Sequence, residues 1–110
     1  MIHRIKDENG VTVVAFEGDV DLESSPEARR ILLDCLGRTS SLLVDLSAVT
    51  YIDSSGIASL VESFQNARKA GRHFALVAVS GSVLSVLRLS RLDKVFTIYD
   101  TLEDGLARAG

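Results

Sequence analysis

The chain has 110 residues, a net charge of −3 and an apolar share of 46%. This length predicts one domain, residues 1–110, with a core of its own, and the composition excludes a disordered chain. No apolar run reaches the roughly 20 residues that a membrane helix needs. Acidic residues outnumber basic ones, 15 to 12, which disfavours direct nucleic-acid binding because that depends on clustered cations.

The N-terminal part of the chain predicts a hairpin. Asn9-Gly10 separates two strand-like runs, the second of which covers residues 11–16, and Asn-Gly is the strongest short hairpin signal. Residues 17–22 are expected to form a solvated loop that carries two neighbouring carboxylates, Asp19 and Asp21.

A helix is expected to follow this loop. Ser25, Pro26 and Glu27 supply a capping hydroxyl, a proline in the first turn and an early acid, and Gly37 ends the segment. Four apolar residues at i, i+3, i+4 and i+7 form its inner face: Ala28, Ile31, Leu32 and Cys35. Since Cys35 is the single cysteine, it has no partner for an internal disulfide. With no apolar leader at the start of the chain, we expect a cytoplasmic protein.

The rest of the chain alternates strands and helices. Strands are predicted at residues 42–46 with an extension towards Val49 and Ile52, at residues 74–79 and at residues 95–98. Helices are predicted at residues 57–70, from Ser80 onwards, and after Thr101. The helix over residues 57–70 should bury Ile57, Leu60, Val61, Phe64 and Ala67, whereas Ser59 and Ser63 should face elsewhere. Thr101 and Asp104 resemble a capping box.

The predicted order is therefore β-β-α-β-α-β-α-β-α. Strand–helix alternation after an N-terminal hairpin favours an α/β fold with a mixed sheet, right-handed crossovers and flanking helices.

Asp53-Ser54-Ser55-Gly56 is the most informative motif, because it lies where a strand leads into a helix N-terminus. Such an end has unpaired N–H groups and a partial positive charge, so it would accept a phosphate. On composition alone, helix capping by a serine is the stronger interpretation. One serine suffices for a cap, however, and the second hydroxyl beside Gly56 leaves room for a chemical switch.

Enzymatic and metal chemistry is not expected. The serines lack the Gly-x-Ser-x-Gly frame of a hydrolase, and only His73 lies downstream, with Glu62 as the sole acid between them. His3 and His73 are isolated, and two carboxylates such as Asp19 and Asp21 make a weak cation site alone. We therefore predict no catalytic residue, no metal site and no cofactor.

Three segments resemble one known family. Residues 44–57, which contain Asp53-Ser54-Ser55-Gly56, are similar to the signature of bacterial anti-sigma factor antagonists, the stand-alone STAS domains. Residues 17–22 resemble the first motif of that family, and residues 87–96 its third block. The resemblance covers essentially the whole chain in the right order and implies a single STAS-type domain.

The family resemblance implies a phosphorylation-controlled partner switch. By that match Ser55 is the phosphoacceptor, with Ser54 as the second candidate, and the cognate serine kinase is often the anti-sigma factor itself. The unphosphorylated form would bind the anti-sigma factor, and a phosphoserine phosphatase would restore it. Partner contacts are expected at Asp19, Asp21, Asp53, Ser54 and Gly56.

Two other readings stay open at this point. Some relatives are regulatory subunits on the ATPase of an ABC lipid transporter, with no phosphorylation in their cycle. Others bind nucleotides, although no phosphate-cradling motif is present in this sequence. The first alternative would use the same surface around Ser55 with a different partner.

Overall fold

The computed structural model describes residues 1–109, which contain the elements in the predicted order. The strands are β1 (Ile2–Glu8), β2 (Val11–Val20), β3 (Ser41–Ile52), β4 (His73–Val77) and β5 (Ile98–Tyr99). The α-helices are α1 (Ser25–Leu36), α2 (Ser54–Lys69), α3 (Gly81–Leu89) and α4 (Leu102–Ala109), and a 3₁₀ helix, Leu92–Lys94, precedes β5.

The five strands form one mixed sheet in the order β1-β2-β3-β4-β5. β1 and β2 are antiparallel, and every later pair is parallel. Asn9 and Gly10 join the first two strands with φ angles of 54° and 82°, as a tight hairpin turn requires. The predicted hairpin and mixed sheet are therefore confirmed.

The central strand β3 is buried on both faces, as its apolar run predicts. Leu42, Val44 and Leu46 belong to the larger core, which α1, α2 and α3 cover. Leu43 belongs to a smaller core on the opposite face, under α4. Because neighbouring residues of a strand point to opposite faces, this alternation divides the helices between the two layers.

The helices α1 and α2 pack closely against each other beside the larger core. All four predicted inner-face residues of α1 are buried. Ser59 and Ser63 of α2 are also buried, contrary to the prediction, because α1 covers that flank and the Ser59 hydroxyl donates to the carbonyl of Ser25 at 3.3 Å. On the outer side, Arg29 forms a two-pronged ion pair with Glu62, with N···O distances of 2.6–2.9 Å.

Of the two predicted capping hydroxyls, at Ser25 and at Thr101, one was wrong and one is confirmed. The residue that precedes α1 is Ser24, and Ser25 is buried within the first turn, so the prediction of Ser25 as the cap was wrong. The capping hydroxyl of α4 is confirmed, since Thr101 Oγ1 accepts a hydrogen bond from the Asp104 N–H at 3.1 Å.

Two predicted boundaries were also wrong. Residues 17–20 belong to β2 and pair with β3 through two register irregularities, so the expected loop is reduced to a short turn after Val20. The last strand covers Ile98–Tyr99 only. The 3₁₀ helix Leu92–Lys94 and the turn that follows it replace the start of the predicted strand, because the N–H groups of Val95 and Phe96 both donate to the carbonyl of Leu92.

Candidate functional site

The predicted site residues converge at the edge where β2 and β3 end. The two strands are parallel, and Val20 pairs with Ile52 in their register. Asp19 lies beside Tyr51 within the sheet, Asp21 follows β2, and Asp53 follows β3. The carboxyl ends of parallel strands meet at one edge of a sheet, so the three acids lie at the same edge as Ser54 and Ser55, which begin α2.

The cap of α2 is Asp53, and not one of the serines. Its backbone is extended, and its Oδ1 accepts the N–H groups of Ser55 at 3.0 Å and Gly56 at 3.1 Å. The expectation that a serine caps this helix was therefore wrong, because the carboxylate fills that position and both serines lie inside the first turn. The helix begins at Ser54, three residues earlier than predicted.

The two serine hydroxyls have different surroundings. The Ser55 hydroxyl donates to Asp53 Oδ1 at 2.6 Å, and Ser55 is half-buried. Ser54, at the first helical position, is exposed. Only the Ser55 hydroxyl is thus coupled to the carboxylate that caps the helix.

These hydrogen bonds lower the pKa of Asp53. The largest contribution comes from the Ser55 hydroxyl, and the backbone N–H groups of Gly56, Ser55 and Leu22 add to it against an opposing effect of burial. All four groups stabilise the charged carboxylate. Asp53 therefore stays ionised at neutral pH and adds negative charge beside Ser55.

The lowered pKa predicts an acid-dependent loss of stability. A carboxylate with a depressed folded pKa stabilises the fold above its unfolded pKa of about 3.9, and this contribution disappears as the pH falls through the folded value. An Asp53→Asn variant, which keeps the capping oxygen, should melt a few degrees below the wild type at pH 7 and together with it at strongly acidic pH. Melting curves of both proteins across this pH range test the prediction.

An Asp53→Ala variant is the control, and it should be less stable than the wild type at both pH values. If the difference in melting temperature between the wild type and the Asn variant did not change with pH, the assignment would be contradicted.

Gly56 is buried in the first turn of α2, where that turn packs against the ends of β2 and β3. A Cβ atom at this position would lie 2.6 Å from Ile52 Cγ1 and 2.7 Å from the carbonyl oxygen of Val20. The missing side chain therefore lets the first turn of α2 approach the ends of β2 and β3. The backbone that approaches Gly56 closely is therefore that of Val20 in the same chain.

The carboxylate of Asp21 organises the turn between β2 and α1. Its Oδ1 accepts the N–H groups of Glu23 and Ser24, each at 3.1 Å. Asp19 Oδ1 accepts the Thr50 hydroxyl at 2.8 Å across the two strands. The carboxylates of Asp19 and Asp21, which were expected to be solvated, are thus both held in place by hydrogen bonds within the chain.

An Asp21→Asn variant should keep its stability and lose recognition. Asparagine retains the acceptor oxygen for the turn, so the change should cost under about 1 kcal/mol and shift the melting temperature by no more than a few degrees. We expect weaker partner binding or slower phosphorylation of Ser55, because the negative charge is removed. Thermal melts and a binding titration check this, and a large loss of stability with normal binding would show that Asp21 is only structural.

Two exposed apolar side chains at this edge were missed by the sequence reasoning. Leu22 is 75% exposed and Tyr51 is 52% exposed. Leu22 directly follows Asp21, and Tyr51 precedes Asp53 by two positions. The sequence showed Leu22 as an apolar residue among the acids of residues 19–23. Its exposure could not be predicted, because it depends on the turn that Asp21 stabilises.

Within residues 1–109, no group of three or more His, Cys, Asp or Glu side chains could hold a metal ion. A shallow cleft of about 430 Å³ beside β2 is lined by acidic and small side chains, among them Asp19, Asp21, Glu23 and Glu27. Its strong negative charge and open shape suit contact with another macromolecule.

The fold and the site together define a regulatory binding domain. The family model described as the STAS domain matches residues 4–105, and the chain belongs to this family. Among residues 1–109, no helix is both long enough and apolar enough to cross a membrane.

Named relatives place the chain among regulatory antagonists. It is 28% identical to the anti-sigma-F factor antagonist RsfB of Mycobacterium tuberculosis over 93% of this chain and 84% of that protein. It is 26% identical to the anti-sigma-B factor antagonist of Bacillus subtilis over 92% of each chain. A crystal structure of an anti-sigma factor antagonist from Mycobacterium paratuberculosis superimposes with a TM-score of 0.90 at 28% identity, covering 98% of this chain and 92% of the other. The predicted class, a regulatory protein and not an enzyme, is that of these relatives.

Proposed function

We propose that this protein is a cytoplasmic anti-sigma factor antagonist whose binding to an anti-sigma factor is controlled by phosphorylation of Ser55. The unphosphorylated form binds the anti-sigma factor, which also acts as the serine kinase, and a phosphoserine phosphatase reverses the modification. The observation that carries the proposal is the 2.6 Å hydrogen bond from the Ser55 hydroxyl to Asp53. The exposed apolar side chains of Leu22 and Tyr51, at the same edge of the sheet, support it.

Phosphorylation of Ser55 would break this hydrogen bond. A phosphoserine oxygen has no hydroxyl proton to give to Asp53, and the phosphate adds about −1.5 to −2 charges at neutral pH. The modified side chain must therefore turn away from the carboxylate, towards the surface where a partner would sit. Modification of Ser54 would leave the bond between Ser55 and Asp53 intact, which favours Ser55 as the switch.

The surrounding surface suits a partner interface. Leu22 and Tyr51 are exposed apolar side chains of the kind that anchor interfaces when buried. Asp19, Asp21 and Asp53 lie around them and steer a partner with complementary cations. Ser54 is exposed and can contact a partner at the edge of this surface. Gly56 is buried and lets the start of α2 lie close to Val20.

The same surface explains why a phosphate would release the partner. A dianion pressed into a closely packed interface beside Asp53 loses its hydration without a counter-charge, and an unpaired buried charge costs several kcal/mol, on the order of 3–5. The fold tolerates the phosphate, because the N-terminus of α2 carries a partial positive charge. The switch would therefore act through interface electrostatics without refolding.

Phosphate mapping tests the proposal directly. Incubation with the cognate kinase and ATP, followed by mass spectrometry of the peptides, should place the phosphate on Ser55. The Ser54→Ala variant should be modified normally, and the Ser55→Ala variant should not be modified. Phosphate found mainly on Ser54, or on neither serine, would contradict the assignment. If the protein instead copurifies with the ATPase of a lipid transporter, the transporter-subunit reading replaces it.

A further inference from the structure

The end of α2 farthest from Ser55 carries a concentration of cations. Between Glu62 and Asp93 the sequence contains five Lys and Arg residues and no acid. Three of the five, Arg68, Lys69 and Arg72, lie where α2 ends and the chain turns into β4. Since α2 leads from the carboxyl end of β3 back to the amino end of β4, this basic corner lies at the opposite edge of the sheet from the phosphorylation site.

The termination of α2 places Arg72 beside Arg68. Gly71 adopts a left-handed conformation with φ of 69°, and the N–H of Arg72 donates to the carbonyl of Ala67 at 2.8 Å. This C-terminal geometry ends the helix and directs the chain sideways. Arg72 therefore does not continue along the helix axis, and its side chain lines the same cleft as that of Arg68.

The cleft has a cationic rim and an aromatic floor. Its volume is about 190 Å³, and its lining includes Arg68, Arg72 and His73 together with Phe64 and Phe74. The two phenylalanine rings pack edge to face, with their centroids 6.3 Å apart. Phe64 is only half-buried, so part of the aromatic surface stays open to the cleft.

The cations of this cleft are not neutralised within the described chain. The ion pairs recorded for residues 1–109 use Lys6, Arg29 and Arg30 as their cations. His73, which lines the cleft, also has a buried Nε2 atom without a hydrogen-bond partner. Attraction to the C-terminus of the helix explains basic residues in its last turn, but it does not explain Arg72 and His73 beyond that turn or the aromatic floor.

We propose that this cleft binds a small organic anion, in which a phosphate or carboxylate group is attached to a flat apolar group. Guanidinium groups recognise both anions through paired, charge-assisted hydrogen bonds, and the phenylalanine floor receives the apolar part. The cleft is smaller than the roughly 300–1,000 Å³ of pockets for drug-sized ligands, so the ligand is small. Because the cleft and Ser55 lie at opposite edges, this site is separate from the proposed switch.

An NMR titration of the full chain tests this inference with defined probes. Phenyl phosphate and benzoate supply an anion on an aromatic ring, and inorganic phosphate and benzyl alcohol supply each half alone. We expect saturable shifts at the His73 ring and at the amides of residues 67–74 with one or both of the combined probes, and weaker binding of each half. Which combined probe binds more tightly distinguishes phosphate from carboxylate recognition. Shifts centred on residues 53–56, or no saturation with either combined probe, would overturn the proposal.

Matched variants make the test specific. The double change Arg68→Gln and Arg72→Gln should weaken binding at least roughly tenfold, because charge-assisted hydrogen bonds to the anion are lost. The pair Arg88→Gln and Arg91→Gln removes the same charge from the end of α3 and should leave the affinity unchanged. Neither Arg68 nor Arg72 is buried, so a melting curve should show that the first variant is folded. Equal affinity in the wild type and in that variant would overturn the assignment.

Discussion

A Ser55→Asp variant should bind the anti-sigma partner at least about 100-fold more weakly than the wild type, and Ser55→Ala should bind it normally. The aspartate places an unpaired negative charge beside Asp53 in the interface, which costs on the order of 3–5 kcal/mol. Alanine adds no charge. Its only local loss is the hydroxyl bond to Asp53, worth about 1 kcal/mol of fold stability. A titration of the isolated partner with the three forms measures the difference.

The aspartate variant should remain folded, which separates loss of recognition from loss of structure. A negative side chain in the first turn of a helix is favourable by about 0.3–1 kcal/mol, which offsets most of the roughly 1 kcal/mol lost with the hydroxyl bond. The melting temperature of Ser55→Asp should therefore lie within a few degrees of the wild type, and that of Ser55→Ala about 4–8 °C below it. Ser54→Asp is the matched control, because it adds the same charge one residue away without touching the bond between Ser55 and Asp53. If Ser55→Asp and Ser55→Ala bind equally well, the switch fails and the transporter-subunit reading gains support.

A Gly56→Ala variant should be the most destabilised single-methyl change at this site. The added carbon would lie 2.7 Å from the backbone oxygen of Val20, and a backbone atom cannot rotate away as a flexible side chain can. Overpacking of this kind costs about 1–3 kcal/mol, occasionally more. At about 4–8 °C per kcal/mol for a domain near this size, the melting temperature should fall by on the order of 10 °C or more.

Gly81→Ala is the control for this change. Gly81 starts α3, and a Cβ there would meet no atom within 4 Å, so alanine should be neutral or slightly stabilising through its helix propensity. As a second measurement, the affinity of the Gly56→Ala protein for the partner can be compared with that of the wild type at a low temperature where both are folded. An unchanged melting temperature for Gly56→Ala would mean that α2 does not approach β2 as closely as the structure has it.

The convergence of the acids with Ser55 was partly predictable from the sequence. The strand before Asp53 and the helix after it marked the end of one strand, and the family resemblance grouped Asp19 and Asp21 with Asp53 as expected partner contacts. The hydrogen bonds of Asp21 and Asp53 are local, since they join residues two or three positions apart, and the Asp53 cap was overlooked although aspartate is a preferred N-cap. The bond from Thr50 to Asp19 was not predictable, because it joins two strands that are far apart in the sequence. The exposure of Leu22 and Tyr51 was missed because it also depends on how the chain segments pack.

Local pattern and propensity determined the element order, the hairpin at Asn9-Gly10, the mixed sheet and the burial of β3 on both faces. Each of these follows from periodicity over a few residues or from one turn. Only the tertiary structure decided that Gly56 makes room for Val20, that Asp19 accepts a hydrogen bond from Thr50, and that Arg68 and Arg72 share one cleft with Thr97. These features arise where segments far apart in the sequence pack together, and no local pattern encodes the distance between them.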